Sequence, residues 1–178
     1  MTHSIRQATV DDAPELARIA AVTFPLACPP HTTKEAIAHF IATNLSEDRF
    51  RDYLADPDRE LLIAEADGEP AGYAMVVHGD PTDPDVSTAV GPRPTSEISK
   101  LYVMPDRHGS GLAGELIEAA VTLAVEHGAL TVWLGVNHLN ARANRFYEKH
   151  GFQTVGRKRF LVGDRYEDDF VKLRELAD

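Results

Sequence analysis

The chain holds a single cysteine, Cys28, in 178 residues. An intramolecular disulfide is excluded, and a reducing compartment is expected. Between Ala27 and Pro29 the thiol reads as a packed or loop residue rather than a nucleophile. No apolar run approaches the roughly 18 residues of a membrane span. The start, Met1-Thr2-His3-Ser4-Ile5-Arg6, has no apolar signal region, which makes a cytoplasmic location the expectation. Basic residues are scarce: 18 Lys and Arg stand against 28 Asp and Glu, a formal charge of −10 with no basic run. Nucleic-acid binding is thereby disfavoured. No internal repeat is found. The remaining composition, 43% hydrophobic and 26% charged, is that of one globular domain with a core of its own.

Local signals order the chain. Ile5 to Thr9 reads as a strand. Thr9-x-x-Asp12 is a variant capping box opening a helix to about Phe24, with Pro14 tolerated in its first turn. Thr32-x-x-Glu35 is expected to cap a second helix with Ile37, Phe40 and Ile41 as its apolar stripe. A third runs from Ser46 to Ala55. Leu61–Glu65 and Ala71–Val77 flank Asp67-Gly68, a hairpin turn signal. Glu97–Val103 is the next strand, followed by a helix to about His127, a strand from Thr131 to Val136, and a helix from Asn140. Phe152–Val162 and Glu167–Arg174 close the domain as a hairpin about Gly163-Asp164. The pattern is α+β, a mixed sheet in a three-layer arrangement. Gly79 to Thr95 interrupts it with four prolines and three aspartates, and is expected as a mobile, solvated loop within the one domain. Its functional alternative is an acidic flap over the acceptor site.

The segment from Leu101 to Gly114 carries the most chemistry. A strand ends at Pro105, a loop with Gly109, Gly111 and Gly114 follows, and helical spacing begins at Leu112, Leu116, Ala120 and Leu123. A glycine loop at a helix N-terminus holds phosphate through free N–H groups and the helix dipole. It lacks the Gly-Lys-Ser/Thr ending of a Walker A loop. Gly109-Ser110-Gly111-Leu112-Ala113-Gly114 fits the bare dinucleotide spacing. However, it lies past mid-chain, and Glu126 ends a helix rather than a strand.

His108-Gly109-Ser110-Gly111-Leu112-Ala113 resembles motif A of the GNAT acetyltransferases, Gln/Arg-x-x-Gly-x-Gly/Ala, which binds the pyrophosphate of acetyl-CoA. His108 departs from the usual Gln or Arg, and Arg107 is the candidate for the missing cation. Downstream, Asn140-Ala141-Arg142-Ala143-Asn144-Arg145-Phe146-Tyr147-Glu148-Lys149-His150-Gly151-Phe152 resembles the second GNAT signature, N-x-x-A-x-x-F-Y-E-K-x-G-F, at every named position. Asn140 is a good N-cap and Gly151 suits a left-handed C′ residue. Asn140, Ala143 and Tyr147 share one helix face over about two turns.

The resemblance implies an N-acetyltransferase fold of mixed, mostly antiparallel sheet flanked by helices, with acetyl-CoA as cosubstrate and no metal. It implies cofactor contacts at Leu101, Tyr102, Val103, His108, Gly109, Ser110, Gly111, Leu112, Ala113, Gly114, Asn140, Ala143 and Tyr147. Glu97 occupies the offset of the strand-borne base of some family members, and alternation predicts that it shares a face with Ser99, Leu101 and Val103. At about 3.3 Å per residue it lies roughly 13 Å from Leu101, so a bridging water, with Ser99, is expected between base and amine. Backbone N–H groups at Leu101–Val103 are the implied oxyanion and pantetheine partners, freed by a bulge there. Tyr147 is the implied acid to the departing sulfur.

The acceptor is read as an amine. A free alkyl amine has a pKa of about 10.4, so a general base is useful near neutrality. The acidic chain favours cationic acceptors. Phe160 to Lys172, together with Trp133-Leu134-Gly135-Val136, resembles the PaiA-type branch, which acts on spermidine and spermine. A small-molecule amine is therefore the expected substrate, with a protein lysine or N-terminus as one alternative and a non-catalytic acetyl-CoA-binding module as another. Family members are often dimers, so a homodimer is an expectation that no residue here fixes; no nucleic-acid or membrane partner is expected.

Overall fold

The computed structural model describes residues 2–176. Its strands are β1 (His3–Gln7), β2 (Arg59–Ala66), β3 (Glu69–His78), β4 (Thr95–Val103), β5 (Thr131–Asn137), β6 (Gln153–Val162) and β7 (Arg165–Glu175). Its helices are α1 (Ala13–Ala27), α2 (Lys34–Asn44), α3 (Glu47–Ala55), α4 (Pro84–Ala89), α5 (Leu112–Glu126) and α6 (Ala141–Lys149). The strands form one seven-stranded sheet in the order β1-β2-β3-β4-β5-β7-β6. Every neighbouring pair is antiparallel except β4 with β5. A parallel pair needs a crossover, and α5 supplies it.

Period-two alternation splits the sheet's side chains between two cores. On one face Ala74, Val76 and Ile98 meet Leu116, Ile117 and Ala120 of α5. On the other Ile63, Tyr73 and Met75 meet Leu16 and Ile19 of α1 and Phe50 of α3. Full burial of each Leu or Ile contributes roughly 1.5–3 kcal/mol, so the apolar stripe of α5 sets where that helix lies. Its N-terminus is thereby held at the end of β4.

Three expectations are corrected. The cap of α2 is Thr33, whose Oγ1 accepts the Ala36 N–H at 3.0 Å. Thr32, one residue earlier, has its backbone N–H bonded to Pro29 O, and its hydroxyl is buried without a partner. Residues 79–95 are not a structureless solvated span. They contain α4, capped by Asp83, whose carboxylate accepts the Asp85 N–H at 2.9 Å. Val86 and Val90 pack on Trp133 and Val171. A Cβ at Gly156 would come within 2.8 Å of the Ala89 Cβ, so α4 lies tight on β6. The two valines supply the apolar anchor that the Pro/Asp-rich composition hides.

The third correction concerns β4. Met75 pairs with Lys100 but Val76 pairs with Ile98, so Ser99 is an extra residue in the strand. This bulge lies before Leu101–Val103, not within it. It reverses the alternation, placing Glu97 on the face of Lys100 and Tyr102 rather than with Leu101 and Val103.

Candidate active site

The β4–β5 ladder is short: only Thr95–Glu97 pair with Thr131–Trp133. Beyond it the strands part, while β5 stays bonded to β7 along its whole length. This splay, more than the bulge, frees the inner edge of β4. The Met104 N–H bonds to Ala71 O on β3. Alternation therefore turns the N–H groups of Leu101 and Val103 the opposite way, into the opening. A cavity of about 390 Å³ fills it, lined by Ile98–Val103 on one wall and Gly135–Asn137 on the other. None of residues 79–95 lines the cavity, so the expected acidic flap over the acceptor site is not formed.

One end of the cavity reaches the glycine loop. Gly109 and Gly111 have φ of +82° and +89°, and a Cβ at either would meet nothing within 4 Å. Gly111 stands immediately before α5 in the left-handed region. The first N–H groups of a helix lack intrahelical acceptors. Here the Leu112 N–H goes to Ser110 Oγ at 3.3 Å, leaving those of Ala113 and Gly114 facing the loop. The loop's own side chains do little towards the cavity. Ser110 Oγ donates to Arg107 O at 2.6 Å, and the Leu112 side chain is in the core. A Cβ at Gly114 would approach His150 Cε1 to 3.4 Å, so its smallness serves α5–α6 packing.

Of the two basic residues that open the loop, His108 lines the cavity and Arg107 does not. Arg107 points away, 3.6 Å from Asp67 on the β2–β3 turn, and does not line the cavity. Arg142, in the first turn of α6, places Nη1 2.7 Å from His108 Nδ1. A guanidinium only donates, so Nδ1 accepts and the proton sits on Nε2, which donates to Val103 O at 3.1 Å. His108 thus bridges the end of β4 and Arg142. Arg142 occupies a wildcard position of the second signature, so motif reading passes over it.

The middle of the cavity is bounded by α6. Asn140 Oδ1 caps the helix, accepting the Ala143 N–H at 3.1 Å. Tyr147 lies against Phe146 and Phe152, with ring centroids 5.3 and 6.0 Å away. Burial alone pushes its phenol up to about 12, and the hydroxyl has no hydrogen-bond partner among the described residues. Tyr102 lines the same space, its phenol also raised by burial, with Tyr147, Cys28 and Asp169 adding to the shift.

The other end opens beneath α1 and α2. Phe24 and Phe40 stack at 4.5 Å and Phe160 leans on Phe40 at 5.4 Å, forming an aromatic wall. Glu97, Lys100, Lys158, Glu167 and Asp169 are the charged residues lining this arm. Burial raises Glu97, against the pull of Lys158, Lys100 and Arg59. Burial lowers Lys100 to about 8, partly offset by Glu97. Burial raises Asp169 to about 6, against Lys158 and His138 and with Glu167 and Asp168. His31 Nε2 meets Glu167 Oε1 at 2.5 Å, joining the α1–α2 connection to β7. Cys28 also lines the arm, its Sγ 3.4 Å from Phe24 O and its thiol raised to about 11 by burial, far from a reactive thiolate.

Residues 22–152 match the model of the acetyltransferase (GNAT) family. The chain is 49% identical over 166 residues to an uncharacterized N-acetyltransferase of Mycobacterium tuberculosis, covering 93% of this chain and 99% of that protein. Its fold is similar to that of a PaiA N-acetyltransferase from Thermoplasma acidophilum solved in complex with coenzyme A, at a TM-score of 0.78 and 19% identity over 99% of this chain and 100% of that one. It is also similar to the ribosomal-protein-S18-alanine N-acetyltransferase of Escherichia coli, at a TM-score of 0.71 and 20% identity over 99% and 96% of the two chains.

Proposed function

This chain belongs to the GNAT acetyltransferase family and is an acetyl-CoA-dependent N-acetyltransferase; we propose that its acceptor is a small cationic amine such as a polyamine. The observation that carries the proposal is the continuous cavity between the splayed β4 and β5. It joins an anion-binding loop at one end to an arm lined by Glu97, Glu167 and Asp169 at the other. The formal charge of −10 adds attraction for a cation.

The residues present fit the pyrophosphate and its thioester arm. Open space over Gly109 and Gly111 admits the phosphates, the N–H groups of Ala113 and Gly114 donate to them, and Arg142 supplies positive charge. When bound, acetyl-CoA supplies an activated carbonyl on a thiol leaving group. The N–H groups of Leu101 and Val103 face the cleft where charge develops on that carbonyl oxygen. Tyr102 walls the same stretch, and Asn140 and Ala143 flank the arm along α6. Tyr147, neutral at physiological pH, donates its proton to the departing sulfur. A carboxylate of the acceptor arm relieves the incoming ammonium of its proton. Glu97 is the one implied by family resemblance, and the bulge at Ser99 turns it into the arm.

Turnover of acetyl-CoA with release of free thiol, measured against a panel of polyamines, monoamines and peptides with free N-termini, tests this reading. Stimulation by small amines and not by peptides is expected. Stimulation by peptides alone would transfer the assignment to a protein acceptor. Acetyl-CoA binding with no turnover against any acceptor would defeat it.

A further inference from the structure

Resting on the acetyltransferase reading, we propose that Asp169 is the group that directly accepts the acceptor's proton, with Lys158 as its positioning cation. Strand register is the first argument. Counting along the parallel pair from Glu97–Trp133, and setting aside the bulged Ser99, Leu101 and Tyr102 stand level with Val136 and Asn137. Asn137 is the register partner of Asp169. Asp169 therefore stands beside the N–H groups that face the carbonyl. Glu97 lies three ladder steps back, about 10 Å, where the two strands are still hydrogen-bonded.

Gly135 is the second argument. A Cβ there would come within 2.5 Å of Lys158 Cε and 3.2 Å of Asp169 Oδ2. The missing side chain makes room for this pair to lie directly over β5 at the mouth of the splay. Lys158 Nζ stands 3.9 Å from Asp169 Oδ2, an ion pair beyond hydrogen-bond range. The Asp169 carboxylate has no hydrogen-bond donor among the described residues, and it lines the cavity. A buried carboxylate left unbonded in this way keeps its lone pairs available to a donor from outside. The titratable groups around it are Lys158 from β6, Glu167 and Asp168 on its own strand, and His138 after β5, while Tyr102 lines the same cavity from β4. Asp169, Tyr102 and Tyr147 line one cavity, so base and acid open onto the same space.

The ammonium loses one proton to Asp169, which passes it to solvent. The nitrogen lone pair forms the C–N bond as the carbonyl π pair moves to oxygen. That pair then returns, the C–S bond breaks, and the sulfur takes the Tyr147 proton. The remaining excess N–H proton replaces the one Tyr147 gave up. One proton is released per turnover.

The test is the pH dependence of kcat/KM for the best amine of the panel, in wild type, Asp169→Asn and Glu97→Gln. Wild type should show an acidic limb near pH 6, and Asp169→Asn should lose that limb and fall by about a hundredfold or more. Glu97→Gln should keep the limb whatever its rate. Acetyl-CoA affinity in Asp169→Asn should match wild type, which also reports that the variant is folded. Lys158→Met should move the limb upward, because the cation that holds the carboxylate ionised is gone; a purely structural lysine would not move it. A limb retained by Asp169→Asn but lost in Glu97→Gln overturns the assignment while leaving the transferase intact. Should Asp169→Asn fail to fold, an unmoved limb in Lys158→Met overturns it instead. A wild-type protein that turns over no amine removes the transferase reading and this inference with it.

Discussion

Gly111 offers the cleanest way to separate phosphate binding from backbone geometry. Its φ of +89° is a conformation that side chains resist, yet a Cβ there meets nothing within 4 Å. Any non-glycine residue thus costs backbone strain of about 1–2 kcal/mol and no steric clash with the protein. For a chain of this size that is a fall in Tm of about 2–8 °C. Gly111→Asn and Gly111→Asp are nearly isosteric, and both residue types visit the left-handed region. They share most of the strain and differ in one negative charge. Taking about 5 Å to the nearer phosphate and an effective dielectric of about 40, each unit of phosphate charge repels the carboxylate by about 1.7 kcal/mol. Two such charges give about 3 kcal/mol, or a factor of about 100–200 in affinity. Calorimetric titration of acetyl-CoA at low salt should find Gly111→Asp weaker than Gly111→Asn by about that factor. The gap should narrow as salt is raised, because exposed charges are screened. Equal affinities for the two variants at low salt would refute the anion-binding role of the loop.

Tyr147→Phe should lower kcat by about tenfold to a hundredfold while acetyl-CoA affinity stays within about threefold, since the hydroxyl has no hydrogen-bond partner among the described residues; unchanged kcat would leave Tyr147 a packing residue. Arg142→Met should weaken acetyl-CoA by about 10–100-fold, the worth of one charge-assisted phosphate contact, whereas Arg107→Met, directed at Asp67, should leave it unchanged in the same titration. Lys100→Met should raise Tm at pH 7. The folded pKa of Lys100 lies at about 8, below its unfolded value, so between about pH 8 and 10.4 the unfolded chain binds more protons and wild type gains stability as pH rises. The advantage of the methionine variant should therefore be full below pH 8 and fade towards pH 10.4. A Tm difference independent of pH would mean that Lys100 is not desolvated.

The loop and α6 were legible because each is a local device. Gly109 and Gly111 stand at positive φ, Asn140 caps its helix, and Gly151 at φ +86° ends it. Their spacing in sequence is their spacing in space. The face of Glu97 was not legible, because a bulge is one unmarked residue, Ser99, and one residue inverts every alternation argument that crosses it. The acceptor arm was hidden for a different reason. His31 and Glu167 meet across 136 positions of sequence. Lys158 and Asp169 become neighbours only through the β6–β7 register and the missing side chain at Gly135. Val86 and Val90 gave too weak a period to reveal α4 among prolines and aspartates.

The charge of the arm bears on acceptor choice more sharply than the charge of the chain. Three carboxylates line it, but Lys158 faces Asp169, Lys100 sits near Glu97, and His31 is bonded to Glu167. An arm whose carboxylates stand beside basic groups gives a cation less attraction than three isolated carboxylates would. Beside it stands the wall of Phe24, Phe40 and Phe160, which rewards an apolar or flat substituent. A polyamine would use the carboxylates and leave this wall idle, whereas an amine carrying an apolar or aromatic group would use both. The acceptor panel therefore needs arylalkylamines beside spermidine and spermine. Phe40→Ala then distinguishes the two: a larger loss of kcat/KM for arylalkylamines than for polyamines marks the wall as the selecting surface, and an equal loss returns selection to the carboxylates.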